Sequence, residues 1–322
     1  MKPFASWLRR YTMSMSEQTF VELQARAIFQ GIPVHKTYGS LMAAKSYGLL
    51  EGKKGVIFGA LNEQSIAWAI AEAVYREGGR FILSNAPVAR RLGTLEKLAD
   101  KTGSPIIWAD ATNNDDLMAL FQQARETFGP LDFIVHSIGM GLNIRKNRPY
   151  EDLNYDWYIK TLDISAISLH RIIHCALKQE ALADGASIVT LSYIGAQRTF
   201  SKYSEMGDAK ALLESIVRSW GYRLGKRRIR INAISQSPTP TTAGSGIAGF
   251  DAMYEFAQRV APLGNADARS CADYTVTLLS DLTRMVTMQT LYHDGGFSSM
   301  GISDELIETL AESLGIAASK EK

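Results

Sequence analysis

Lys54-Gly55-Val56-Ile57-Phe58-Gly59-Ala60-Leu61-Asn62-Glu63-Gln64-Ser65-Ile66-Ala67 reads as a short apolar strand, a tight turn at Gly59 and the start of a helix. A helix beginning directly after a strand end points free backbone N–H groups and the positive end of its dipole at one spot, which makes an anion site. Ser65 can cap that helix or donate its hydroxyl to a phosphate. The spaced glycines of the G-x-G-x-x-G fingerprint are absent, with only Gly59 left in the loop, so this motif alone does not name a ligand.

The pattern repeats along the chain. Further apolar runs occur at Phe81-Ile82-Leu83, Ile106-Ile107-Trp108, Phe133-Ile134-Val135, Ile188-Val189-Thr190, Ile229 to Ile234 and Thr290-Leu291-Tyr292. Most are continuously apolar, as strands covered on both faces are. Helical patterns lie between them, at Ser65 to Glu77, Ala89 to Lys101, Asp115 to Thr127 and Tyr155 to Ala181. Alternation of this kind requires right-handed crossovers and a parallel sheet flanked by helices. The expected fold is α/β, a single doubly wound domain with neither internal repeats nor low-complexity tracts.

Composition agrees with an ordinary globular protein: 322 residues, 46% hydrophobic and 21% charged. A net charge of +2 gives no reason to expect a nucleic-acid partner. No apolar run reaches the length of a membrane span. Cys175 and Cys271 are far apart, sit in helical patterns with apolar neighbours and form no ligand spacing, so they read as buried thiols in a reducing compartment, and no metal site is expected. Residues 1–44 differ, with Lys2, Arg9, Arg10, Arg26 and Lys36 outnumbering Glu17 and Glu22 and no secretory core following. A translation start placed too early, a transit peptide and a real helical arm compete there. The expectation is a prefix outside the fold, with the fold at 45–303 and a tail at 304–322.

The region from Gln236 to Gly264 breaks the rhythm with Pro238, Pro240, Gly244, Gly246 and Gly249, then an apolar helical stretch with Phe250, Met253, Tyr254 and Phe256. A long insertion at the carboxyl edge of a sheet fits a lid over an apolar substrate, here about 237–264, or a subunit-contact helix. At the third strand's end, Asp110 can accept from an adenine amino group or cap a helix. Small residues in Val135-His136-Ser137-Ile138-Gly139 let backbone approach a ligand, and His136 reads as a satisfied core histidine. The second strand ends Leu83-Ser84-Asn85-Ala86 with no acid for a ribose hydroxyl, and Arg90 and Arg91 follow, so NADH and NADPH both stay open.

Tyr203 and Lys210 follow the strand Ser187 to Leu191 and the segment Leu191-Ser192-Tyr193. A helix from about Tyr203 to Leu224 would put both side chains on one face, about 10.5 Å apart along the axis. An ammonium held nearby would favour the phenolate and strengthen the phenol as a donor to a developing oxyanion.

Together these residues resemble the enoyl-acyl carrier protein reductases of bacterial fatty-acid synthesis, a divergent branch of the short-chain dehydrogenase/reductase superfamily. The resemblance spans about Leu49 to Ser303. It rests on Gly59 with Ser65-Ile66-Ala67, Val135 to Gly139, Leu191-Ser192-Tyr193, Tyr203 with Lys210, Ile231-Asn232-Ala233-Ile234-Ser235 and His293-Asp294-Gly295-Gly296-Phe297. The superfamily usually places the lysine four positions after the tyrosine, where Gly207 stands here; the longer spacing and Tyr193 point to the enoyl reductase branch. The resemblance implies a Rossmann-like seven-stranded sheet, a homotetramer, NADH as the usual cofactor, an acyl carrier protein partner and a cytoplasmic location. It implies that Tyr203 bonds a thioester carbonyl, that Lys210 holds the nicotinamide ribose and that Tyr193 lies beside the reacting double bond. Cofactor positions would be Gly59, Ser65, Ile66, Asp110, Ala111, Ile138, Lys210 and the run Thr239, Pro240, Thr241, Thr242, Ala243. Gly141 would give the substrate a backbone contact.

Three departures stand out. The loop Met140 to Tyr150 is basic, with Arg145, Lys146 and Arg148, and reads as a docking patch for an acidic carrier or as a solvated charged loop. Pro240 replaces a basic residue common in the family, and Asp208 is polar where a small or apolar residue is usual. The alternatives to an enoyl reductase are a 3-oxoacyl thioester (carbonyl) reductase, for which Ser192 would be the catalytic serine, and a nucleotide-sensing regulator without turnover.

Overall fold

Seven parallel strands form one sheet in the order β3-β2-β1-β4-β5-β6-β7. The computed structural model describes residues 45–242, 244 and 249–316; the prefix 1–44, Ala243 and the end of the tail expectation lie outside these residues. The strands are β1 (Lys54–Phe58), β2 (Arg80–Asn85), β3 (Ile106–Trp108), β4 (Leu131–His136), β5 (Leu182–Ser192), β6 (Arg230–Gln236) and β7 (Thr290–His293). The helices are α1 (Ile66–Arg76), α2 (Leu95–Thr102), α3 (Asn114–Phe128), α4 (Leu142–Arg145) and α5 (Tyr155–Leu162). They continue with α6 (Ser168–Lys178), α7 (Glu205–Leu224), α8 (Phe250–Val260), α9 (Ala268–Leu279) and α10 (Asp304–Ser313).

The continuous apolar strands are explained by cover on both faces. Val56, Phe58, Ile134 and Ile188 point into one buried layer with Leu117 and Phe121 of α3, Ile172 of α6 and Leu213 of α7. Their neighbours Ile57, Val135 and Val189 point the other way, against Ile70 and Val74 of α1 and Val276 and Leu279 of α9. Successive strand residues face opposite sides, so no polar face survives in the sheet interior. Both cysteines are buried free thiols.

Helix ends follow local chemistry. The Asn113 side chain accepts from the N–H groups of Asp115 and Asp116 and starts α3, while Gly103, at φ 62°, ends α2 in the left-handed region. Three helix expectations need correction. The pattern Ala89 to Lys101 splits into a 3-10 turn, Pro87–Arg91, and α2, because the chain bends at Gly93, where a Cβ would meet the Leu61 carbonyl oxygen at 2.5 Å. The pattern Tyr155 to Ala181 is interrupted by a π-turn at Asp163–Ile167 and stops at Lys178. The helix expected from Tyr203 begins instead at Glu205.

Strand order reverses between β1 and β4, where connections leave to opposite sides and a crevice opens beyond the carboxyl ends. A cavity of about 820 Å³ lies there. It draws on the residues that follow β1 to β6, from Gly59 through Asn85, Asp110, Ser137 and Tyr193 to Thr242.

Candidate active site

Gly59 forms the floor of the cavity at the end of β1. Its φ is +97°, and a Cβ there would stand 2.0 Å from the Ser137 carbonyl oxygen. The β1 and β4 loops therefore approach as closely as backbones can, and only glycine permits it. Ser65 and Ile66 at the start of α1 also line the cavity. Ser65 makes no side-chain cap: its hydroxyl donates to the Asn62 carbonyl oxygen at 2.6 Å and accepts from the Leu61 N–H at 3.1 Å.

Across the cavity, the segment after β6 closes against this loop. The Asn62 amide donates to the Thr242 hydroxyl at 2.9 Å. Thr241 accepts from the Gly244 N–H, and Thr239 donates to the Ser237 carbonyl oxygen. Thr239, Thr241 and Thr242 line the cavity, whereas Pro240 does not; Ala243 lies outside the described residues. At the third strand, Asp110 and Ala111 line the cavity too. One Asp110 oxygen holds the N–H and hydroxyl of Thr112, and the helix cap belongs to Asn113 instead. Ile138 and Gly141 complete the expected lining.

Tyr203 and Tyr193 meet on the other wall. Their ring centroids are 4.9 Å apart at 58°, and each side chain is less than a tenth exposed. Burial pushes both phenols well above the usual tyrosine range. The expected phenolate character of Tyr203 is thus corrected: desolvation governs it, followed by Tyr193, and the Lys210 ammonium is not among the causes. A phenol that keeps its proton remains a donor.

The one-face helical argument is corrected as well. Tyr203 lies in the turn before α7, joined by Tyr203 N–H to Phe200 O and Met206 N–H to Tyr203 O. Ser204, at φ 45° and ψ −139°, breaks the helix between them. That conformation costs a non-glycine residue on the order of 1–3 kcal/mol, the kind of strain that collects at functional sites. Lys210, buried on α7, donates to the Leu191 carbonyl oxygen at 2.8 Å. Desolvation lowers its pKa to about 8, partly opposed by the Glu214 carboxylate. Glu214 itself accepts from Ser192 Oγ at 2.6 Å and from the Gln197 amide at 3.0 Å. A Cβ on Gly139 would have Lys210 Nζ as its nearest neighbour, at 3.8 Å, so the ammonium lies close against the β4 loop.

His136 is fully buried. Ser168 Oγ gives its proton to the Ile164 carbonyl oxygen, so it accepts from His136 Nε2; Thr190 Oγ1 then donates to Nδ1. Desolvation and the Lys210 charge lower the imidazole to about 3, which keeps it neutral. This is a satisfied core histidine.

Sequence reasoning missed the lining groups Met206, Ile144 and Lys160, while Phe250 and Met253, expected in a lid, do line the cavity. Met253 of α8 approaches the Tyr193 hydroxyl with its sulfur at 3.6 Å. No spacing signal marks the missed residues, because they come from separate elements. The departure at Asp208 has a local explanation, since its carboxylate accepts from the hydroxyls of Tyr150 and Tyr158 at 3.0 and 3.1 Å.

A glycine turn at the switch point, six loops around one cavity and a Tyr–Lys pair on its wall are the features of a Rossmann-type reductase. Comparison with known proteins narrows this. Residues 59–298 match the family model described as Enoyl-(Acyl carrier protein) reductase. The chain is 35% identical over 261 residues to enoyl-acyl-carrier-protein reductase (NADH) 1 of Rhizobium meliloti strain 1021, covering 80% of this chain and 95% of that one. It is 58% identical to the FabI–NADH complex from Alistipes finegoldii, with a TM-score of 0.79 over 80% of this chain and 92% of that one. FabI from the same organism gives 52% identity and a TM-score of 0.78, over 84% and 100% of the two chains. The chain belongs to the enoyl-acyl carrier protein reductase family.

Proposed function

We propose that this chain reduces trans-2-enoyl thioesters, carried on acyl carrier protein, to saturated acyl thioesters with NADH. The observation that carries the reading is one cavity at the switch point lined by Tyr193, Tyr203, Lys210 and the Gly59 turn. The Gly59 cradle, which any Cβ would fill, and a cavity lined by both Gly139 and Lys210 fit a dinucleotide laid across the strand ends. When bound, NADH supplies the hydride.

The residues of this chain then have distinct tasks. Gly59, Ser65, Ile66, Thr239, Thr241 and Thr242 would hold the pyrophosphate side, and Asp110 and Ala111 the adenine side. The Lys210 ammonium has three donors, one of them used on Leu191, and would hold the nicotinamide ribose with another. The Tyr203 hydroxyl would donate to the thioester oxygen as negative charge develops there, with the Gly141 backbone on the substrate's other side. Tyr193 would pack beside the acyl double bond. Phe250 and Met253 of α8 close the cavity, in keeping with a lid at about 237–264 on a domain of 45–303. NADPH is not excluded, because Asn85 spends its side chain on Ala60 O and Ala86 N–H and puts no carboxylate at the β2 end.

A homotetramer is part of the same reading, supported by large exposed side chains on α5 and α7, Tyr155, Ile159 and Tyr222. So is a cytoplasmic location. Among the described residues no helix is long and apolar enough to cross a membrane.

The test runs crotonyl and acetoacetyl thioesters side by side, each with NADH and with NADPH. Oxidation of NADH by the crotonyl substrate alone is expected. Turnover of acetoacetyl thioester alone would make the chain a carbonyl reductase, a role already opposed by Ser192, whose hydroxyl is committed to Glu214.

A further inference from the structure

We propose that Glu205 is a positioning residue that locks the substrate-side loop Gly141–Arg145 to the turn carrying Tyr203; this rests on reading the cavity as an enoyl thioester site. Glu205 is the first residue of α7, two positions after Tyr203, and is fully buried. Among the described residues no salt bridge reaches it; its partners are donors on the opposite loop and on α5. Oε1 accepts from the Asn143 N–H at 2.8 Å, Oε2 from the Ile144 N–H at 3.2 Å, and Thr161 Oγ1 donates to Oε1 at 3.3 Å. Thr161 also accepts from the Leu142 N–H at 3.2 Å. One carboxylate and one hydroxyl thus satisfy the first three backbone donors of α4.

The loop is held tightly on this anchor. A Cβ on Gly141 would stand 2.4 Å from Ile144 Cγ2 and 2.8 Å from Met206 Cγ, so the loop rests directly on the residue after Glu205. Gly141, Ile144, Tyr203 and Met206 all line the cavity. The carboxylate therefore fixes the distance between the wall that would face the thioester and the phenol that would bond it. A carboxylate is required because all its partners donate. Glutamine would turn an NH₂ group toward a backbone N–H and leave two donors facing each other in a buried site.

The test compares wild type with Glu205→Gln and Thr161→Val, using three readouts. Backbone hydrogen exchange in a peptide spanning 140–146 is expected to quicken roughly tenfold or more in Glu205→Gln, with strand peptides of β4 and β5 unchanged. The KM for crotonyl thioester is expected to rise roughly tenfold with NADH affinity, measured by fluorescence titration, held within about twofold. Thr161→Val is expected to show the same pattern more weakly, and it decides the matter if Glu205→Gln does not fold. Unchanged exchange in 140–146 overturns the lock. Faster exchange with unchanged KM in an active enzyme overturns its link to substrate. Equal losses of NADH affinity and KM make the residue merely structural, which also overturns the proposal. A wild type that turns over no enoyl thioester defeats the reading of the cavity instead, and the exchange result still decides the lock.

Discussion

The rings of Tyr193 and Tyr203 lie in contact, 4.9 Å between centroids, although they stand ten positions apart in the chain. This contact places the first residue after β5 and a residue of the turn before α7 on one wall of the cavity that the Gly59 turn also lines. The consequence is a buried, protonated phenol whose only task is donation. Substituting Tyr203 by Phe keeps the ring contact and removes the donor. We predict a fall in turnover of about 10²-fold with NADH affinity unchanged, measured by steady-state kinetics and titration. Wild-type turnover would remove Tyr203 from the role.

Gly59 tests the dinucleotide cradle. In Gly59→Ala the new methyl group meets the Ser137 carbonyl oxygen, and the residue must hold φ +97°. The expected loss is about 2 kcal/mol or more in stability together with weakened NADH binding, read from urea denaturation and titration.

Lys210 gives a pH signature. Desolvation, the leading cause, lowers its folded-state value from 10.5 to about 8. Between those values the unfolded chain binds the proton and the fold does not, so this group's contribution to stability rises with pH across that window. Relative to Lys210→Met, the wild type should gain on the order of 2–3 kcal/mol from neutral pH to the top of the window, by denaturation at a series of pH values. Parallel curves for the two proteins would refute the burial of the charged amine.

His136 acts with the same sign in a lower window, on the acid side of neutrality. Its folded value is lowered from 6.5 to about 3 by burial, so below about pH 6.5 only the unfolded chain takes up the proton. Stability attributable to this group is present above pH 6.5 and lost as the pH falls, by about 1.4 kcal/mol per unit at most. A His136→Gln variant should flatten that part of the profile without changing the pH dependence of turnover. A shifted turnover profile would mean that His136 takes part in the chemistry.

Much of the fold was legible because burial on both faces writes itself into short apolar runs. Val56-Ile57-Phe58 and Phe133-Ile134-Val135 sit inside β1 and β4 for that reason. Helix boundaries were less legible where one residue overrides the periodicity. Apolar spacing continues through Tyr203 and Met206, and nothing in it signals that Ser204 adopts a positive φ. The cavity's glycine, tyrosine and lysine residues were legible through their spacing. Glu205 was not, since a carboxylate at a helix start reads as a favourable charge near the dipole, while its real partners lie on a loop some sixty residues away. Lys160 escaped for the same reason: only long-range packing brings it to the cavity.

The most direct measurement uses NADH deuterated at its hydride-bearing carbon, with the enzyme and an enoyl-acyl carrier protein. The account predicts a saturated acyl chain carrying one deuterium on its β-carbon, formed in step with NADH consumption. Label absent from that carbon, or NADH bound but never oxidised in the presence of the enoyl thioester, would contradict it.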